Sequence, residues 1–159
     1  MPRPPRFACA AVPLFPLAAR LRSEPDLRAE SVAIFEGNGT SAHVIAATRS
    51  ARQAGIQPGM TLPQARALVP KLIARGRDRQ SEQAAQDALL DVAETFSPRI
   101  EETDQGVVTL DVDGLERRFA GEFRERDLGQ ALSAAVGRTG LPARVGIACS
   151  KLAARVASA

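Results

Sequence analysis

The sequence predicts an α+β fold, a ferredoxin-like βαββαβ sheet-and-helix layer with a small inserted subdomain. Two observations carry this. Short apolar runs and two long amphipathic stretches succeed one another as strand, helix, strand, strand, helix, strand once residues 13–75 are set aside as an insertion. The length of 159 residues, with 45% hydrophobic and 25% charged residues, matches an ordinary globular chain and excludes wholesale disorder. The expected division is therefore residues 1–12 with 76–159 as one region and 13–75 as the insertion.

Taken in order, Phe7-Ala8-Cys9-Ala10-Ala11-Val12 reads as a short buried strand after a Pro/Arg leader. Leu14 to Leu21 predicts a helix entered through Pro13 and Pro16. Ser31–Glu36 and His43–Ala47 predict a hairpin, because Gly37-Asn38-Gly39-Thr40-Ser41 between them accepts positive φ at little cost. Thr48 to Val69 predicts two helical pieces split by Gly55-Ile56-Gln57-Pro58-Gly59, and Lys71–Ala74 a short strand. From Ser81 to Phe96 the residues Ala85, Ala88, Leu89, Val92 and Phe96 share one helical face, with Ser81 as the expected N-cap and Ser97-Pro98 as the stop. Ile100–Thr103 and Val107–Val112 read as strands around Asp104-Gln105-Gly106. Asp127 is the expected cap of a helix carrying Leu128, Ala131, Leu132, Ala135 and Val136. Gly140-Leu141-Pro142 turns the chain into a strand over Ala143–Cys149, and Ser150 starts a last helix.

The net charge is +3, built from 19 Arg and 2 Lys against 18 acids. Arg is the better phosphate clamp because its planar fork donates two parallel hydrogen bonds, yet so mild an excess is a weak pointer to nucleic acid. Six Phe, with no Tyr and no Trp, are too few for a dedicated single-strand stacking platform. No apolar run reaches the roughly 18 residues of a membrane span. The basic leader Met1-Pro2-Arg3-Pro4-Pro5-Arg6 lacks an adequate apolar stretch for a signal peptide. Two cysteines, Cys9 and Cys149, form no disulfide framework or metal motif, so a reducing cytoplasm is expected, with both as small buried hydrophobes. His43 is the sole histidine and is expected to be structural. The run Lys71, Arg75, Arg77, Arg79 reads as a solvated edge. There is no P-loop, dinucleotide glycine pattern or Ser-His-Asp arrangement.

Four strings in order resemble the Y-family (UmuC/DinB-like) translesion DNA polymerases: Thr48-Arg49-Ser50-Ala51-Arg52-Gln53-Ala54-Gly55 with Gly59-Met60; Leu68-Val69-Pro70; Leu110-Asp111-Val112-Asp113-Gly114; and Gly146-Ile147-Ala148-Cys149-Ser150-Lys151-Leu152-Ala153-Ala154-Arg155. The resemblance implies a palm (1–12 and 76–159) with a fingers-like insertion (13–75), the thumb and little finger lying outside this chain, which is then a fragment or a truncated relative. It implies DNA as partner and phosphate contact by Arg52 and Lys151. Arg49 stands where the family has a Tyr and adds positive charge there.

The departures are equally informative. Two-metal phosphoryl transfer needs carboxylates that hold both ions, and the family's pairs fall here on Ala11 and Pro13, and on Gly106 and Val107. None of these side chains ligates a cation. The family's ribonucleotide-excluding aromatic falls near Pro16. Ala8-Cys9-Ala10-Ala11-Val12-Pro13-Leu14-Phe15-Pro16-Leu17 resembles the N-terminal string of the catalytically silent ImuB-type branch. That likeness implies a cytoplasmic DNA-binding adaptor in SOS-linked translesion mutagenesis, partnered in a mutasome by a sliding clamp, an error-prone DnaE-type polymerase and a RecA-like protein. No catalytic residue, metal or other cofactor is expected. Two alternatives stand beside it. An active nucleotidyltransferase would need Mg²⁺ on relocated carboxylates: Asp111 and Asp113, expected on one strand face, with Asp104 or Glu102. A ferredoxin-like interaction module would have no nucleic-acid role.

Overall fold

The computed structural model describes residues 4–115 and 124–159, so the first three residues of the basic leader lie outside the described part. The chain divides into two compact units, residues 1–13 with 84–159, and residues 14–83.

The first unit is built on a four-stranded antiparallel sheet. Its strands are β1 (Phe7–Ala11), β5 (Ile100–Asp104), β6 (Val107–Asp111) and β7 (Arg144–Ala148), in the order β5-β6-β1-β7. With α4 (Arg79–Phe96) and α5 (Arg124–Arg138) the order is β1-α4-β5-β6-α5-β7, the succession the sequence predicts. β1, first in sequence, thus lies centrally between β6 and β7, while β7, last in sequence, forms an edge of the sheet. Ala8, Ala10, Val108 and Leu110 are fully buried, as are Leu89, Leu128 and Leu132 on the two helices. A β1 made of Phe-Ala-Cys-Ala-Ala suits this central place, since small side chains let helices approach both faces.

The other face carries Phe7, Cys9 and Ala11, opposite Asp111, Thr109 and Val107 of β6. The short helix α6 (Lys151–Ala157) packs here, with Ala154 buried against Cys9 and Val107. Gly146 makes this approach feasible. A Cβ there would overlap the carbonyl oxygen of Ala154 and lie 2.7 Å from the carbonyl carbon and Cβ of Ala157.

The second unit has a three-stranded sheet, order β3-β2-β4, from β2 (Val32–Glu36), β3 (His43–Ala47) and β4 (Ile73–Gly76), with helices α1 (Phe15–Ser23), α2 (Arg49–Gln53) and α3 (Leu62–Leu68). β2 and β3 form the expected hairpin, and β4 runs parallel to β2. Its two apolar clusters centre on Phe35, Val44, Ile56 and Leu72, and on Leu17, Val32 and Ile34.

Several local expectations are corrected. Ser81 does not cap α4: Asp78 Oδ1 accepts from the backbone N–H groups of Gln80 and Ser81 at 3.1 and 3.3 Å, so the helix starts three residues earlier, nearly a full turn. Asp127 lies inside the first turn of α5, where its charge still suits the helix dipole. The short strand begins at Ile73, two residues later than read, because its partner residue is Val32. Arg75 and Arg77 are not a solvated edge. Arg77 is bonded to the buried Glu82 at 2.8 and 3.0 Å and to Glu36 at 2.8 Å, and Arg75 to Glu24 at 3.1 Å. Cys9 is buried as expected, but Cys149 is exposed, since β7 ends at Ala148 and Cys149 sits in the turn before the Ser150 cap.

Candidate nucleic-acid interface

Ala11 closes β1 and lies directly opposite Val107, the first residue of β6. The two-residue connection Gln105-Gly106 joins β5 to β6, and Gly106 adopts φ 73° there. The Val12 amide donates to the Gly106 carbonyl at 2.8 Å, and the Gly106 amide to the buried Oε1 of Gln86 at 2.7 Å. The chain therefore brings Ala11, Gly106 and Val107 together, with the exposed Pro13 just beyond. What meets there is two methyl-bearing side chains, a glycine and a proline ring. These residues do not fit a pair of divalent cations, which require several oxygen ligands each.

Asp111 and Asp113 do not share a strand face. β6 stops at Asp111, whose Oδ1 accepts from the Asp113 amide at 3.1 Å, and Gly114 follows in a turn with φ 80°. Asp111 also pairs with Arg99 at 3.3 Å. Glu102 and Asp104 lie toward the opposite end of the β5–β6 ladder, across from Val108 and Val107. Among the described residues no three His, Cys, Asp or Glu side chains converge on a point that would hold a metal.

The cationic groups are better placed. Ser150 caps α6 by accepting from the Ala153 amide at 3.2 Å, which sets Lys151 at the first turn over the sheet. The Lys151 ammonium is 5.8 Å from the centroid of the Phe7 ring and forms an ion pair with Glu101. One turn on, Arg155 pairs with Asp104 at 3.6 Å. Phe7, Arg99, Glu101, Thr109, Asp111 and Lys151 frame an open depression of about 330 Å³ on this face. Phe7, Arg99 and Glu101 escape a motif-based reading. The signal for them is cross-strand register, with Glu101 opposite Thr109 and Phe7 opposite Asp111.

In the other unit, Arg49 and Arg52 occupy α2, both exposed. Arg52 Nε donates to the Ala47 carbonyl at 3.2 Å, which anchors the exposed side chain to the end of β3. Arg49 makes no ion pair among the described residues. The following loop is pinned by Gly59, whose amide donates to the Val44 carbonyl at 2.8 Å with φ 91°. His43 is exposed and its Nδ1 lies 3.1 Å from the Ser41 carbonyl, a local contact within the hairpin connection.

The model of the family described as IMS: impB/mucB/samB matches residues 12–159. DNA polymerase IV 2 of Mesorhizobium japonicum is 33% identical over 136 residues, which cover 85% of this chain and 31% of that protein. A post-insertion binary complex of Dbh DNA polymerase superposes with a TM-score of 0.82 at 19% identity, covering 95% of this chain and 44% of that one. A Y-family DNA polymerase chimera gives 0.80 at 18% identity with the same coverage, 95% and 44%. The chain thus spans about a third of the length of the curated relative it matches.

Proposed function

The chain belongs to the impB/mucB/samB family and carries the fold of Y-family DNA polymerases, and from that premise we propose that it is a non-catalytic, ImuB-type member that holds DNA through shape and positive charge. In this reading the unit of β1, α4–α6 and β5–β7 is the palm and the 14–83 unit the fingers. The protein serves translesion mutagenesis in the cytoplasm as an adaptor for a sliding clamp, an error-prone DnaE-type polymerase and a RecA-like protein within an SOS-induced mutasome.

One observation carries the proposal: the cross-strand meeting of Ala11 with Val107, beside Gly106. The family resemblance assigns metal-holding carboxylates to these positions, and the strands still bring them together with no ligand on any of them. The loss extends to the backbone. Gly106 lies in the two-residue connection between β5 and β6 at φ 73°, so a carboxylate placed there would project from a turn and not from a strand. The separation of Asp111, Asp113, Glu102 and Asp104 supports the same reading over one with relocated ligands.

Phosphate contact needs only fixed cations, and Lys151, Arg52 and Arg49 supply them without a metal. The depression on the sheet face is mixed in charge, so the contribution of Lys151 depends on how DNA phosphates compete with Glu101 for its ammonium. Fluorescence anisotropy of a labelled primer–template duplex tests the reading. Binding is expected to fall with salt, to be indifferent to sequence, and to survive chelation of divalent ions. Binding that disappears in chelator, or that no salt concentration weakens, overturns it.

A further inference from the structure

We infer that the free edge of β7, with the groove between it and α5, is a docking site for an extended acidic peptide that adds a fifth strand to the sheet. This goes beyond the DNA-binding reading and uses a different surface of the first unit. In the sheet order, β7 pairs with β1 on one side and has no strand partner on the other among the described residues. Such an edge presents a row of backbone donors and acceptors, the template for strand addition.

Three features point to a ligand here rather than to a merely unfinished sheet. First, Val145 and Ile147, which lie opposite the fully buried Ala10 and Ala8 of β1, are only half-buried themselves, because a groove of about 430 Å³ separates α5 from the strand edge. Second, the floor of that groove is Gly129. It lies inside α5 with an ordinary helical φ, where glycine costs roughly 1 kcal/mol against alanine. Crowding does not require it, since a Cβ would meet Ile147 Cδ1 and Val145 Cγ1 at 3.7 and 3.8 Å, normal contact distances. Its presence keeps the groove deep. Third, the rim is positive. Arg126 and Arg144 are exposed and make no ion pair among the described residues, whereas Glu125, the one acid at the groove, is paired with Arg6.

The charge selects the occupant. A second copy of β7 paired in parallel would set Arg144 opposite its own counterpart, where like charges are destabilising, and one paired antiparallel about Gly146 would set Arg144 opposite Ala148 and leave both guanidiniums without a counter-charge. An acidic strand gains the same backbone bonds and neutralises both guanidiniums. Alternate apolar side chains would then sit over Gly129, Val145 and Ile147.

The probe is a fluorescein-labelled peptide, Ser-Glu-Val-Glu-Val-Glu-Val-Glu-Ser, titrated with the chain in low salt and followed by anisotropy. Binding in the range of about 10–100 μM is expected, with slowed amide exchange across β7. The double variant Arg126→Glu, Arg144→Glu should lose at least about tenfold in affinity and instead take the peptide with Lys for Glu, a charge swap that misfolding would not produce. Gly129→Leu, which fills the groove and leaves the charge alone, should also abolish binding while leaving the DNA affinity unchanged. No binding below about 1 mM, equal binding by the charge-reversed variant, or concentration-dependent self-association in place of peptide uptake would each overturn the inference. DNA binding is measured separately, so failure here leaves the DNA reading standing.

Discussion

Gly146→Ala puts the packing of the nucleic-acid face to a quantitative test. The added methyl would overlap the Ala154 carbonyl oxygen and come within 2.7 Å of two Ala157 atoms, against an ordinary contact of 3.4 Å or more. The obstruction is helix backbone, which cannot rotate away, so α6 must retreat by roughly 1 Å or β7 must bend. Overpacking of this kind costs about 1–3 kcal/mol. In a chain of this length that corresponds to a fall of roughly 2–12 °C in Tm. Because α6 carries Lys151, the retreat also moves the ammonium off its position beside the Phe7 ring, which should cost more duplex affinity than release from the surface pair with Glu101 returns. Duplex affinity should therefore fall, and the slope of log Kd against log salt should shrink by up to one phosphate's worth. Thermal unfolding by circular dichroism and anisotropy on the same samples measure both. An alanine variant with unchanged Tm would refute the packing argument. Reduced Tm with unaltered DNA binding would instead detach Lys151 from the interface.

Other substitutions probe the electrostatics. Glu101→Gln frees Lys151 from a surface ion pair of about 0.2–1 kcal/mol, so duplex binding should tighten up to about fivefold, and the gain should vanish in a Lys151→Ala background. Arg77→Ala leaves Glu82, 2% exposed, without its principal partner inside the second unit, and should destabilise that unit by roughly 3–5 kcal/mol in urea unfolding. Glu24 is held below the usual carboxylate range, chiefly by its hydrogen bond to Arg75, and Asp78 chiefly by the Ser81 hydroxyl. A depressed carboxyl contributes stability above its unfolded pKa and loses it as pH falls through the folded value. The second unit should therefore weaken progressively below the ordinary carboxylate range, and Glu24→Gln should flatten that slope in a pH series of Tm.

Much of the fold is legible in the sequence because its signals are local. The helical face of Ala85, Leu89 and Val92, the Gly-rich hairpin connection and the Ser150 cap each act within a few residues. The alternating order of elements then leaves few topologies for a sheet with β1 at its centre. What the sequence hides is set by partners distant along the chain. Arg75 and Arg77 read as surface residues until β4 pairs in parallel with β2, which brings them to Glu24 and Glu36. Asp111 and Asp113 satisfy a period of two, yet the Asp-Gly turn ends the strand between them. The meeting of Ala11 with Val107 follows from strand register alone, and no property of an alanine or a valine announces it.

The account rests on that empty meeting point, and a Mn²⁺ titration of the chain tests it most directly, with free Mn²⁺ followed by electron paramagnetic resonance in the presence of duplex DNA. The account predicts only weak, non-saturating association that Asp111→Ala leaves unchanged, with DNA affinity equal in Mn²⁺ and in chelator. A saturable site that strengthens DNA binding and disappears with Asp111→Ala would contradict it.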